Sequence, residues 1–186
     1  MRKLIYALPL VLLTNACSSL LPKGHTDTIS FESFEEARAA IEKLVPMKSD
    51  RHSLEENGFN LAKNPNNNIL THADVVRRFL PGAVLTREDL DPGILACVQA
   101  RDACRGLEII GVKIERVRKG NFFADFFNFK RHTETTGWRF NALVLFVNDL
   151  VVYRMWGGQP AVNEVEITNN PLGPFQDIGP AVVRVY

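Results

Sequence analysis

The sequence predicts an α+β fold, with N-terminal helices packed on a four-stranded antiparallel β-meander and an extended Pro-rich C-terminal tail. Three observations point there. Apolar residues recur at helical spacing in residues 34–44 and 73–80; from Leu107 the period changes to two; and glycine and proline punctuate the chain after Trp156.

The chain opens with Met1-Arg2-Lys3, runs uncharged from Leu4 to Leu13, and then reads Thr14-Asn15-Ala16-Cys17. A basic start, a short apolar core and a small residue describe a secretory signal peptide over residues 1–16, and the run is shorter than the ~20 residues a spanning helix needs. Cys17 after Ala16 resembles the lipobox of bacterial lipoproteins, whose thiol is acylated before signal peptidase II cuts. That family usually has Leu three places before the cysteine; here Thr14 holds the place and Leu13 lies one further back. The alternative is an ordinary signal cleaved near Ala16, with Cys17 incidental. By the same resemblance, the non-acidic Ser18 implies sorting to the outer membrane of a Gram-negative cell, facing the periplasm. Lipid on Cys17 is then the expected attachment, each buried methylene contributing about 0.8 kcal/mol.

Loss of residues 1–16 removes Arg2 and Lys3 and takes the formal charge from +1 to −1, so bulk charge attracts no nucleic acid. Residues 17–30, with Pro22, Gly24 and several small polar residues, read as a lipidated tether, leaving 31–186 as a single α+β domain.

Within that domain Ser33 and Glu36 fit a capping box before a helix that places Phe34, Ala37, Ile41 and Leu44 on one face. A short helical turn follows at Leu54–Phe59, ended by Gly58, and Thr71 caps a helix that runs to Leu80. Arg77 and Arg78 at its end either complement the helix dipole or bind an anion. Asp91 and Pro92 start another helix, which carries Cys97 and approaches Cys104. In an oxidising compartment these two thiols are expected to bridge. Seven residues of helix would hold their Cα atoms about 10.5 Å apart, beyond the ~7 Å a disulfide tolerates. The helix is therefore expected to break between Val98 and Cys104. Zinc coordination is left incomplete, since no histidine pair matches the cysteines.

The four expected strands start at Ile110, Phe122, Trp138 and Leu150, with Asn148-Asp149 as a tight turn between the last two. The stretch from Pro171 to Pro174 precludes a helix and favours an extended, turning tail.

Motifs for Ser hydrolases, zinc peptidases, phosphate loops and dinucleotide binding are absent, and no cofactor or metal site is expected. Asp125, inside the aromatic run Phe122–Phe129, is either a desolvated general acid or the partner of an arginine across the sheet, with Arg139 and Arg154 as candidates. Trp156 with Pro171, Leu172, Pro174 and Phe175 forms a candidate partner surface if these residues meet.

A lipidated cysteine, the helix Thr71–Leu80 ending in Pro81-Gly82 and the late hairpin Trp138–Gly158 are together similar to small outer-membrane lipoproteins of the BamE (SmpA/OmlA) kind. The resemblance covers about half the chain, which departs from it at the Cys97/Cys104 segment, the fourth strand and the tail. Those departures put a shared partner in doubt; the lipid anchor, the compact size and the missing catalytic constellation are what lead to the expectation of a non-enzymatic, lipid-anchored envelope module that binds a protein partner and supports outer-membrane maintenance or assembly. An apolar-ligand carrier or envelope enzyme using the sheet's aromatic face, or an inhibitor of a host or competitor enzyme, are the other readings.

Overall fold

The computed structural model describes residues 20–59, 66–80 and 90–178; the segment expected as a signal peptide, Cys17 and Ser18 lie outside them. Among the described residues the fold is α+β, with five α-helices and a five-stranded antiparallel sheet. The strands are β1 (Lys23–Asp27), β2 (Asn68–Leu70), β3 (Cys104–Lys119), β4 (Lys130–Val147) and β5 (Leu150–Asn169). The helices are α1 (Phe34–Glu42), α2 (Arg51–Glu56), α3 (His72–Phe79), α4 (Pro92–Ala100) and α5 (Phe122–Phe126). The sheet order is β1-β3-β4-β5, and β2 also pairs with β3, Asn68 opposite Glu108 and Leu70 opposite Gly106.

The chain divides into two compact units. The larger comprises Thr26–Ile114 and Gly137–Val162; the smaller, in its described part, is formed by residues 20–25, 115–136 and 163–178.

In the larger unit the alternation of β4 sorts its side chains into two apolar clusters. Phe140, Ala142, Val144 and Phe146 join Phe34, Ala37 and Ile41 of α1, Leu54 of α2, and Phe59. Leu143 and Leu145 join Val75 of α3 with Ile94 and Cys97 of α4. A strand apolar at every position needs cover on both faces, and the four helices supply it. The second of these faces is covered by α3 and α4.

Local chemistry sets the helix starts. Ser33 Oγ accepts from the Glu36 N–H at 3.2 Å, while the Glu36 carboxylate reaches back one residue further than a capping box requires, to the Glu32 N–H. Thr71 and Asp74 form the full reciprocal box at α3. Bonds from Thr71 hold the Asp74 carboxyl below the usual carboxylate range. The sign follows: this stabilisation is complete above the ordinary value of about 3.9 and is lost as pH falls through the lower folded value. Thr71→Ala is expected to cost about 1 kcal/mol, read as a lower urea midpoint with unchanged slope.

Several expected elements differ. The tether reading fails at β1, where Lys23–Asp27 pairs with β3 and the flanking Leu21 and Ile29 are buried. Apolar residues spaced around short polar ones suffice for an edge strand. The run expected as a strand at Phe122 is the helix α5, because the Asn121 side chain accepts from the N–H groups of Phe123 and Ala124 and starts a turn. Both parities of that run are apolar, so its alternation carried no real period-two signal. The fourth expected strand does not stop at Trp156: β5 continues to Asn169. Its position at the end of the sheet order tolerates Pro160, which a central strand would not. In place of the expected extended segment, the described part of the tail forms a 3-10 turn at Gly173–Ile178, with Pro174 near its start, where a missing N–H costs nothing. The turn at Asn148-Asp149 forms as expected, with Asn148 at φ +55°.

Candidate functional site

Cys97 sits in α4 and Cys104 opens β3, both fully buried. The helix ends at Ala100, Arg101 turns the chain at φ +49°, and the two Cα atoms come to 4.9 Å with the sulfurs at disulfide distance. The break therefore falls inside the expected interval. A left-handed residue followed by a 3-10 turn shortens the path that a continuous helix would have lengthened.

That closure places Arg105. Its guanidinium donates to the carbonyls of Asp102 and Cys104, both at 2.8 Å, and the residue lines a cleft of about 230 Å³. Ile69, Leu107 and Phe146 supply apolar lining and Arg51 a second cation. Arg51 lies 5.2 Å over the Phe146 ring and 3.4 Å from the exposed Asp149 carboxylate. Ile69 is 73% exposed at the mouth. An apolar floor with two guanidinium groups suits a side chain that is apolar and lies next to a carboxylate. Sequence reading missed this cleft because its residues come from α2, β2, β3 and β4, and no local pattern links them.

Trp156 is taken up by the larger unit's own packing. Its ring meets Phe34 edge-on at 6.0 Å, and Arg38 stacks over it at 4.8 Å. Pro171, Leu172, Pro174 and Phe175 belong to the smaller unit, with Leu172 and Phe175 well exposed.

Asp125 is buried in the smaller unit, only 5% exposed, and accepts from Arg118 at 2.9 Å. The arginine pairing is thus present with a different partner. Arg139 instead donates to Gln159, and Arg154 donates to the Leu44 carbonyl. The helical turn of α5 carries Asp125 inward while Phe123 and Phe126 turn outward, which the strand reading could not reveal. The aromatic run thus lies on α5 and its flanks rather than on a strand face, with Phe123, Phe126, Phe127 and Phe129 exposed.

Arg77 pairs with Asp74 and Arg78 with Glu108, each at 2.7 Å, so both cations at the end of α3 have carboxylate partners. Arg78 holds the Glu108 carboxyl below its ordinary range. Among the described residues His72 contacts the Val98 carbonyl, His52 lies near Glu56 and His132 near Glu134, and no group of three His, Cys, Asp or Glu side chains is arranged to hold a metal ion. Comparison of the chain with family models, curated proteins and solved structures finds no match.

Proposed function

We propose that this protein is a non-enzymatic envelope module, anchored by lipid on Cys17 in the outer membrane, that binds a protein partner on its periplasmic side and supports outer-membrane maintenance or assembly. The observation that carries the reading is the buried Cys97/Cys104 pair at disulfide distance. Such a pair persists in an oxidising compartment and is kept reduced in the cytosol. The signal-like start and Cys17 name the same destination from independent residues. A partner segment that presents an apolar side chain beside a carboxylate fits the cleft of Ile69, Leu107 and Phe146 between Arg51 and Arg105.

Cys17→Ser is expected to move the protein from the membrane to the soluble fraction and to abolish labelling by palmitate. Labelling that survives the substitution refutes the anchor. For the partner, a photocrosslinker replacing the exposed Ile69 should give one discrete protein adduct in intact cells, and Arg105→Glu should remove it by reversing the charge at the cleft. Adduct formation indifferent to that reversal places the partner elsewhere.

A further inference from the structure

The smaller unit leaves Phe123, Phe126, Phe127, Phe129, Leu172 and Phe175 between 46% and 70% exposed. Taking about 200 Å² per large apolar side chain, these six leave roughly 700 Å² of apolar surface in water. The largest patch on an ordinary monomer is about 300–600 Å².

The rings support one another. Phe122 stacks on Phe126 at 5.6 Å, and Phe126 meets Phe127 edge-on at 5.1 Å. The tail joins them: the Asn170 N–H donates to the Phe129 carbonyl at 2.8 Å, and Gly173 lies so close to the Phe129 ring that a Cβ there would stand 2.7 Å from it. Phenylalanines held by a short helix and a 3-10 turn form a preorganised apolar surface, since little side-chain freedom is left to lose on contact.

Beside the start of α5 lies a cavity of about 260 Å³, lined by Lys119, Gly120, Asn121, Ala124, Lys130 and His132. Lys119 pairs with Glu134, whose carboxylate also lies 3.7 Å from His132. Lys130 is exposed, and Arg118 on the neighbouring strand is committed to Asp125. The exposed Lys130, which directly follows the protruding Phe129 in the chain, complements a bilayer, in which phosphate groups lie directly above hydrocarbon.

The chain's path supplies the occupant. Leu20 belongs to this same unit, Leu21 is buried, and the Arg118 N–H donates to the Pro22 carbonyl. Cys17 precedes Leu20 by three residues, which span at most about 11 Å when fully extended. A lipid on Cys17 therefore holds this unit at the headgroups.

We infer that the phenylalanine surface of the smaller unit, with Leu172 and Phe175, docks on the bilayer that carries the anchor. The inference rests on the lipid-anchor reading, and it assigns Leu172 and Phe175 to lipid instead of to a protein partner.

The test uses acylated mature protein in vesicles of phosphatidylethanolamine and phosphatidylglycerol, with benzoylphenylalanine replacing Phe126, Phe175 or, as control in the larger unit, Ile69. Sedimentation with the vesicles reports the anchor; the mass of the photoadduct reports the docking. The expected result is sedimentation of all three, with lipid adducts from positions 126 and 175 and none from 69. Sedimentation without lipid adducts at 126 and 175, or with equal lipid labelling at all three positions, overturns the docking and leaves the anchor standing. Protein–protein adducts from 126 assign the surface to a second copy and overturn it too. Failure of the purified protein to acquire acyl chains or to sediment overturns the anchor, and the docking with it.

Discussion

Replacing Cys97 and Cys104 together by alanine is expected to lower stability by about 2–3 kcal/mol. The chain-entropy account gives about 2.5 kcal/mol for a bridge between residues separated by 7 in sequence, because the bond removes conformations from the unfolded chain. The site adds to the loss. Both sulfurs are buried in the cluster of Val75, Ile94, Leu143, Leu145 and Val152, and alanine leaves space there. For a chain of this length the thermal midpoint should fall by about 5–10 °C, and reductant should move the wild type nearly as far while leaving the double variant unmoved. An unreduced wild type that shows two reactive thiols, or a midpoint indifferent to reductant, would show that the bridge does not form. The consequence extends past stability: Arg105 is held by the carbonyls of Asp102 and Cys104, so opening the bridge should also loosen the cleft cation.

A still larger effect is expected from Gly137→Ala. Gly137 lies at φ +141°, where an L side chain is strained, and a Cβ there would stand 2.0 Å from the Lys113 carbonyl oxygen and 2.9 Å from the Ile114 Cα. Neither obstacle is a flexible side chain; both are backbone of β3, so the strand itself must shift. Strain and overpacking together amount to about 3–5 kcal/mol, a large share of the ~5–15 kcal/mol that a typical domain has. Gly157→Ala is the control. Its Cβ would meet only the Asn141 side-chain amide at 3.5 Å, an ordinary contact, and its midpoint should stay close to wild type. Equal urea midpoints for the two variants would refute the steric account.

Three helices of the larger unit, α1, α3 and α4, were legible because each announces itself locally, whereas α2, read as a turn from Leu54, starts at Arg51 after an Asp50 cap. Ser33, Thr71 and Asp91 are side chains that accept from the first turn, and Gly58 and Asn148 occupy positive φ where the chain must turn. The break after Ala100 was also readable, since the bridge and a continuous helix exclude each other geometrically. The aromatic run was not. Phe122 to Phe129 is apolar at both parities, so hydrophobicity could not distinguish strand from helix, and Asn121 decided the matter through two hydrogen bonds. In β3 Cys104, Leu107, Ile109 and Ile114 are buried while Ile110 is exposed, so burial does not follow one parity along the strand; pairing with its neighbours sets the register rather than the strand's own pattern. The cleft of Arg51, Ile69, Arg105 and Phe146 was beyond any reading of a single segment, as tertiary packing alone brings those residues together.

Asp125, the one acid that invited a chemical role, is a buried carboxylate bound to Arg118, and its environment serves to fasten α5 to β3. The exposed phenylalanines on that helix and the cationic cleft of the larger unit then offer, in the proposed reading, one face for lipid and one for a protein segment.

The proposed anchor depends on the chemistry of Cys17, and mass analysis of the N-terminal peptide from membrane-extracted protein tests it. The expected peptide begins at Cys17, lacks residues 1–16, and carries acyl chains on the cysteine. A peptide that begins at Met1, or one that starts with an unmodified cysteine on protein recovered in the soluble fraction, would contradict it.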